Sequence, residues 1–404
     1  MAARPPVERR LGGAGWLLVL AVLVMAGAGA ALLPKHLGRG RPAPMVMPPA
    51  LQIVQPGLAG ALSHGVDFAP GSQPLSWTAA GRWRAAGAGL DHEWPGLVLD
   101  ARFAGDGVLL AFDDPLNRYR LTVDGTEAAQ ITRPGQAVVR LSGFGDGPHD
   151  LRLERLSEAW APARIAGLAV PAGGAALDPP PPPARRIDVY GDSDSLGYGI
   201  AHKGRTCPGE TIFLTTDATQ TWPMRLARQF GAGLSLVSRS GIGLVRNYGG
   251  AAPGRAMATL RDRLLPSDPA PADLPAPWLT LIALGDNDVS PELTAGEAWP
   301  DLPALMADFT VTLERMIRDL LARAPGHPIL IVAYHDAGKP LHGRLEEVAA
   351  KLAAEGAPVW LVSLPRLDRL ACDWHPSLAD HVLMGDALIR TVAAMIADGR
   401  LEAP

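Results

Sequence analysis

Four short segments of this chain carry the residue types that acyl transfer needs. The first, Gly191-Asp192-Ser193-Asp194-Ser195-Leu196-Gly197-Tyr198-Gly199, closes an apolar run with a glycine-flanked serine. A serine on a tight strand-to-helix turn is presented outward, and its own N–H points at whatever the hydroxyl attacks. Alone, such a segment is more often just a turn. The second segment, Ser240-Gly241-Ile242-Gly243, is a Gly-rich loop able to offer a backbone N–H, with Gly241 preferred over Gly243 as the donor. The third, Gly285-Asp286-Asn287-Asp288, places a side-chain amide at a strand end, and the fourth, Cys372-Asp373-Trp374-His375-Pro376, brings an imidazole. A hydroxyl nucleophile (Ser193), oxyanion donors (the N–H groups of Ser193 and Gly241, the amide of Asn287) and a base (His375) make a complete set.

Such residues must be held by a scaffold, and the surrounding pattern names one. Apolar runs at 187–190, 234–237, 278–284, 328–333 and 358–362 alternate with helical stretches at 222–230, 302–324 and 343–355. This alternation predicts an α/β class domain, a doubly wound parallel sheet over residues 187–404, whose functional residues gather at the carboxyl ends of the strands. Before it the style differs. Short alternating runs at 97–103, 107–112, 119–123 and 150–155, separated by turn residues such as Asp124-Gly125 and Gly145-Asp146-Gly147-Pro148, predict an antiparallel β-sandwich over 51–177. Five consecutive prolines, Pro179–Pro183, mark a stiff linker at 178–186.

The chain has 404 residues, with 37 basic and 41 acidic side chains and a formal charge of −4. That balance supplies no polycationic surface, so a nucleic-acid partner is not expected. Two cysteines, Cys207 and Cys372, exclude a disulfide-built scaffold and the ordinary multi-cysteine zinc sites. Residues 11–34 carry no charge and are flanked by arginine and lysine. They read as an uncleaved membrane anchor or a cleaved secretory signal over 1–34, followed by a Pro/Gly/Arg-rich tether at 35–50. Either reading puts the rest of the chain outside the cytoplasm, on the periplasmic or extracellular side.

The order of the four motifs resembles the SGNH (GDSL-type) hydrolase superfamily. The phrases Ser240–Gly250 and Cys372–Ser377, together with Glu93–Gly96, Val123–Gly125 and Gly147–His149 in the sandwich, resemble carbohydrate esterase family 2. That family joins an N-terminal, jelly-roll-like β-sandwich to an SGNH domain. The resemblance implies removal of O-acetyl groups from a carbohydrate, often at a primary hydroxyl, with Ser193 as nucleophile and His375 as base and with neither metal nor cofactor. It also leaves open an O-acetyltransferase with the same Ser–His machinery, or a carbohydrate-binding protein that has kept the fold without the chemistry.

Two positions depart from the superfamily pattern. Cys372 stands three residues before the histidine, where many members carry an aspartate. Asp373, two before it, is therefore the candidate third catalytic member, against a dyad whose ring is oriented by a backbone carbonyl. Asp194 puts a carboxylate directly after the nucleophile, where it would raise the pKa of the base or repel the oxyanion. Trp374 and Asn247 are candidate substrate contacts, with core packing and loop bracing as their respective alternatives. Trp77, Trp83 and Trp94 are either a sugar platform or, on the stronger expectation, core residues. His335-Asp336 follows a strand end and reads as a solvated pair or a cleft lining. If Ser193 and His375 meet, their loops are neighbours, and Cys207 and Cys372 become candidates for a disulfide between them.

Overall fold

The computed structural model describes residues 47–158, 161–334 and 339–403. The apolar stretch read as an anchor, most of the tether, and the His335-Asp336 pair lie outside them. Among the described residues no helix is long and apolar enough to cross a membrane.

Two seven-stranded antiparallel sheets form the first part of the chain. In one, Val98–Ala104 and Pro148–Arg155 pair centrally, with Arg118–Val123 and Thr126–Thr132 beyond. In the other, Gly107–Asp114 lies between Gly135–Ser142 and Ala163–Val170. The period-2 alternation is visible in burial: Leu99, Ala101 and Phe103 point inward from one strand while Asp100 and Arg102 do not. Leu110 and Phe112 of the opposite sheet join them in one apolar core. Trp77 and Trp83 are half-buried against this core and pack edge to face, with ring centres 5.2 Å apart. Trp94, 2% exposed, instead enters the core of the second part of the chain, the cluster that contains Tyr190 and Phe309. Trp94 is therefore a core residue, while Trp77 and Trp83 pack on the sandwich core and keep part of their surface exposed.

The second part is a five-stranded parallel sheet. Its strands are β1 (Arg186–Gly191), β2 (Gly233–Ser238), β3 (Leu279–Ile282), β4 (Ile329–Ala333) and β5 (Val359–Ser363), in spatial order β2-β1-β3-β4-β5. β2, β3 and β4 are buried throughout, as continuous apolar runs between two helical layers must be. Helices α5 (Leu302–Arg323) and α6 (Lys339–Ala354), with the short α4 (Met257–Leu260), cover one face. Helices α3 (Trp222–Gln229) and α7 (Leu378–Ala397) cover the other. The strand order reverses between β1 and β3, which opens a crevice at their carboxyl ends, the place where open α/β sheets bind ligands.

The sandwich bonds directly to the α/β part of the chain. Buried Arg82 bonds Ser235 Oγ at 3.2 Å and the Arg263 carbonyl at 2.9 Å. Arg118 donates to the carbonyls of Phe213 and Leu214 at 3.1 and 2.6 Å, the end of short helix α2 (Thr211–Thr215), and Arg120 pairs with Asp217 at 2.7 Å. The described residues accordingly belong to one compact unit.

Candidate active site

β1 runs directly into the turn that carries the serine. Asp192 caps the one-turn helix α1 (Ser193–Leu196), its Oδ1 accepting from the Asp194 N–H at 2.9 Å. Ser193 is the first residue of that turn, 7% exposed, and its own N–H has no acceptor inside the protein among the described residues. A helix start leaves such donors unsatisfied, and they favour negative charge placed before them. Gly241, on the loop after β2, has φ +75°, a left-handed conformation that favours glycine, and its N–H likewise faces no internal acceptor among the described residues.

Ser193, Gly241, Asn287 and His375 line one cavity of about 820 Å³, with Tyr198, Tyr248, Asp286, Arg369, Asp373 and Trp374 also on its wall. The four motifs, separated by up to most of the α/β part in sequence, thus meet at the β1/β3 switch point.

The histidine is oriented by main chain. His375 Nδ1 lies 2.8 Å from the Cys372 carbonyl. A carbonyl only accepts, so Nδ1 carries the proton and Nε2 is left with its lone pair. Asp373, the candidate third member, does not serve this ring: its Oδ2 accepts from the Tyr198 hydroxyl at 3.0 Å. Left-handed backbone at Asp373 (φ 50°) and Trp374 (φ 65°) accompanies the turn that brings the Cys372 carbonyl to the imidazole. Tyr198 in turn stacks on His375, ring centres 4.2 Å apart and planes inclined 33°. Burial, aided by Asp373, pushes the Tyr198 hydroxyl pKa up, so it stays a neutral donor.

Loop 202–208 clamps the histidine loop. The Gly204 N–H donates to the Leu370 carbonyl, the Asp373 N–H to the Arg205 carbonyl, and Arg205 Nε to the Arg369 carbonyl, at 3.0, 3.0 and 2.8 Å. The structure joins Cys207 to Cys372 in a disulfide across the same seam, with Cα atoms 5.5 Å apart. Gly199 packs against it so closely that a Cβ there would lie 2.5 Å from Cys372 Sγ.

Two asparagines make bonds other than those expected, and one tryptophan stands at the cavity. Asn287 lines the cavity but spends its amide hydrogens on Asp192 Oδ2 (3.2 Å) and the Ile242 carbonyl (2.9 Å). It thereby supports the buried cap rather than offering a free donor. Asn247 faces its own loop, accepting from the Gly243 N–H and donating to the Ala251 carbonyl, because that loop's turn leaves polar backbone to satisfy. Its neighbour Tyr248, 56% exposed, is the one on the cavity wall. Trp374, 62% exposed, stands at the cavity with the Arg205 guanidinium 3.4 Å from its ring centre, so core packing is not its role.

The carboxylate after the nucleophile is neutralised. Asp194 Oδ2 is 2.8 Å from Arg369 Nη1, and Arg369 also approaches Asp286 at 4.0 Å. Burial first, then the charges of Asp194 and Asp286, push the Asp192 carboxyl well above the usual range, against the Asp194 N–H and Arg369. Asp288 accepts from the N–H groups of Leu244, Val245 and Arg246, and burial still pushes its pKa up to about 6. Arg369 and Tyr198 were not singled out by sequence. Arg369 has no local signal, since its function depends on Asp194 across the cavity; Tyr198 sits inside the nucleophile motif and was legible as a residue near the serine.

Comparison with known proteins agrees with this geometry. The carbohydrate esterase 2 N-terminal model matches residues 79–180, and the GDSL-like lipase/acylhydrolase model matches residues 189–388. Over both parts the chain is similar to the GDSL-type family 2 carbohydrate esterases. An acetylxylan esterase/glucomannan deacetylase from Cellvibrio japonicus is 28% identical over 324 residues, 79% of this chain and 86% of the relative. Among solved structures, a carbohydrate esterase described as having divergent catalytic and non-catalytic binding functions superposes with a TM-score of 0.73. It is 27% identical, over 80% of this chain and 98% of that one. A family two carbohydrate esterase from Clostridium thermocellum in complex with cellohexaose, 24% identical, shares the fold with a TM-score of 0.70, over 81% of this chain and all of its own. The family 2 pairing of sandwich and hydrolase is thus the architecture described above.

Proposed function

We propose that this chain is a serine esterase that removes O-acetyl groups from carbohydrate through an acetyl-enzyme. The observation that carries the reading is the convergence, on one cavity, of Ser193, an imidazole whose Nε2 is left as acceptor, and two unused backbone donors. In this mechanism Ser193 Oγ attacks the acetyl carbonyl carbon while His375 Nε2 takes its proton. The Ser193 and Gly241 N–H groups hold the oxyanion of the tetrahedral intermediate. The Cys372 carbonyl and the face of Tyr198 stabilise the imidazolium that forms. The bond from acetyl carbon to sugar oxygen then breaks, and that oxygen takes the proton from Nε2. Water attacks the acetyl-serine with Nε2 as base, acetate leaves, and Ser193 regains its proton. Asn287 and Asp373 act here by holding Asp192 and Tyr198 respectively, and Trp374 with Tyr248 offers aromatic surface to the sugar at the cavity wall.

The substrate assignment follows the Cellvibrio relative: an acetylated plant-type polysaccharide such as glucomannan or xylan. The disulfide favours an oxidising compartment, consistent with residues 11–34 exporting the chain and tethering it to a membrane. Acetate release from acetylated glucomannan and from an aryl acetate, compared between wild type and Ser193→Ala, tests the reading. Release by wild type alone supports it. Acetyl capture by an added acceptor sugar would replace it with a transferase, and binding without release by either protein would replace it with a carbohydrate-binding role.

A further inference from the structure

Glu158 belongs to the sandwich, three residues beyond the strand Pro148–Arg155, yet it reaches the hydrolase's oxyanion loop. Its Oε1 accepts from the Ser240 N–H at 2.7 Å. The peptide units carrying the Ser240 and Gly241 N–H groups share the Ser240 Cα, so holding the first restricts rotation of the second. Gly241 needs such a restraint, because a glycine at φ +75° has little steric barrier to other conformations. The far side of the loop is already fixed: the Gly241 carbonyl accepts from the Tyr248 N–H at 2.8 Å, and Asp288 holds residues 244–246. Glu158 supplies the near side.

Burial pushes the Glu158 carboxyl pKa up, against the Ser240 bond and the charges of Arg239 and Arg155, and the segment that carries it is anchored by its neighbours. The Leu156 carbonyl accepts from the Ala218 N–H at 2.9 Å, which ties this stretch of sandwich to the hydrolase. Buried Arg155 donates to the Glu93 and Trp94 carbonyls, both at 2.9 Å, and its charge and that of Arg239 face Glu158.

We propose that Glu158 is a positioning residue through which the sandwich sets the Gly241 oxyanion donor, making the sandwich part of the catalytic unit. The proposal rests on the acyl-transfer reading of Ser193 and Gly241 given above. It predicts a defect in transition-state stabilisation, not in substrate binding.

The experiment compares Glu158→Ala, Glu158→Gln and the sandwich-core variant Tyr119→Phe with wild type, in the full exported chain. The readouts are kcat, KM, Tm and the affinity for phenylboronic acid, whose serine adduct places an oxygen in the oxyanion position. Losing an oxyanion donor outright typically costs ~10²–10³ in rate, so a loosened donor is expected to lower kcat about tenfold. For Glu158→Ala we expect that loss with KM little changed and boronate affinity falling by a similar factor. Glu158→Gln, whose amide oxygen still accepts from Ser240, is expected to recover most of both. Tyr119→Phe is expected to lower Tm and leave kcat and boronate affinity alone. Wild-type kcat and boronate affinity in Glu158→Ala would overturn the proposal, as would a loss of activity in Tyr119→Phe matching that of Glu158→Ala at equal loss of Tm. A wild type that releases no acetate would instead overturn the acyl-transfer reading beneath it.

Discussion

The sandwich and the α/β domain each bury a cluster of titratable side chains, and the two clusters are wired differently. In the sandwich, Arg155 donates to His92 Nδ1 at 3.0 Å, His92 Nε2 meets the Tyr119 hydroxyl at 2.9 Å, and Tyr119 donates to Asp114. Asp114 also accepts from Asn117 at 2.9 Å, Asn117 Oδ1 from the Ser157 hydroxyl at 3.1 Å, and the Ser157 carbonyl from Arg155 Nε at 3.1 Å, so the chain of bonds returns to Arg155 inside the core. In the α/β domain, Asp192, Asp194 and Asp288 are also satisfied internally, but Ser193 N–H, Gly241 N–H and His375 Nε2 are left for the cavity. A network whose leftover donor, Arg155 Nη2, is sealed inside the core fixes a fold, while one whose leftover donors and lone pair face a cavity is equipped to meet a substrate. The difference separates a structural cluster from a catalytic one without appeal to residue type, since both contain His, Asp and a hydroxyl.

The contrast can be broken by substitution. Ser193→Ala should lower kcat on acetyl esters by about 10⁴-fold or more with the fold intact, the scale seen when a serine nucleophile is removed. Next in size is Arg369→Met. It leaves Asp194 charged, 6% exposed and one residue from the nucleophile. Breaking a buried pair costs about 3 kcal/mol, and the stranded charge opposes the oxyanion, so kcat should fall about 10²-fold. Adding Asp194→Asn should restore most of both losses, measured by denaturant unfolding and steady-state rates. Asn287→Ala sharpens the comparison further. As a support for Asp192 it should cost about tenfold in kcat together with some stability; a loss of ~10²–10³ in rate at unchanged stability would make its amide an oxyanion donor instead. The smallest effect belongs to the closed cluster, where Tyr119→Phe should cost about 1–2 kcal/mol of stability and leave kcat alone.

Acid should act on the fold through the buried imidazoles. Burial lowers His381 to about 3, with its Nδ1 accepting from the Trp222 N–H at 3.2 Å, and lowers His92 well below its ordinary value. The unfolded chain therefore binds these protons first, beginning near the ordinary value of about 6.5. The stability these residues contribute is complete above that pH and is lost progressively as pH falls toward 3. Asp288 acts with the opposite sign: raised to about 6, it relieves the fold of a buried charge as pH drops through that value. Asp192 and Glu158, which burial also pushes up, act as Asp288 does, so the test is differential: a neutral replacement at His381 that folds should raise the unfolding midpoint at pH 4 relative to that at pH 7, compared with wild type.

Much of this was readable beforehand, for physical reasons that differ by region. Buried parallel strands are continuous apolar runs, and the catalytic residues follow them at once, so β1, β2 and β3 announced Ser193, Gly241 and Asn287. Helix α7 went unanticipated, although Ser377 and Asp380 form a capping box at its start. What sequence could not supply is which atom each polar side chain spends on what. Asp373 is two residues from His375 and yet serves Tyr198, because the backbone turns left-handed between them. Arg369 and Glu158 are ordinary charged loop residues in sequence, and their importance comes from meeting Asp194 and Ser240 across the fold.

The most direct test of the central claim is to catch the acetyl group on the enzyme. Wild type and Ser193→Ala would be mixed briefly with an activated aryl acetate, quenched in acid, digested and analysed by mass spectrometry. The account predicts a transient acetyl ester on Ser193 in wild type, which decays at the rate of acetate release, and none at that position or elsewhere in the variant. Acetate release without any adduct on Ser193, or release that persists in Ser193→Ala, would contradict it.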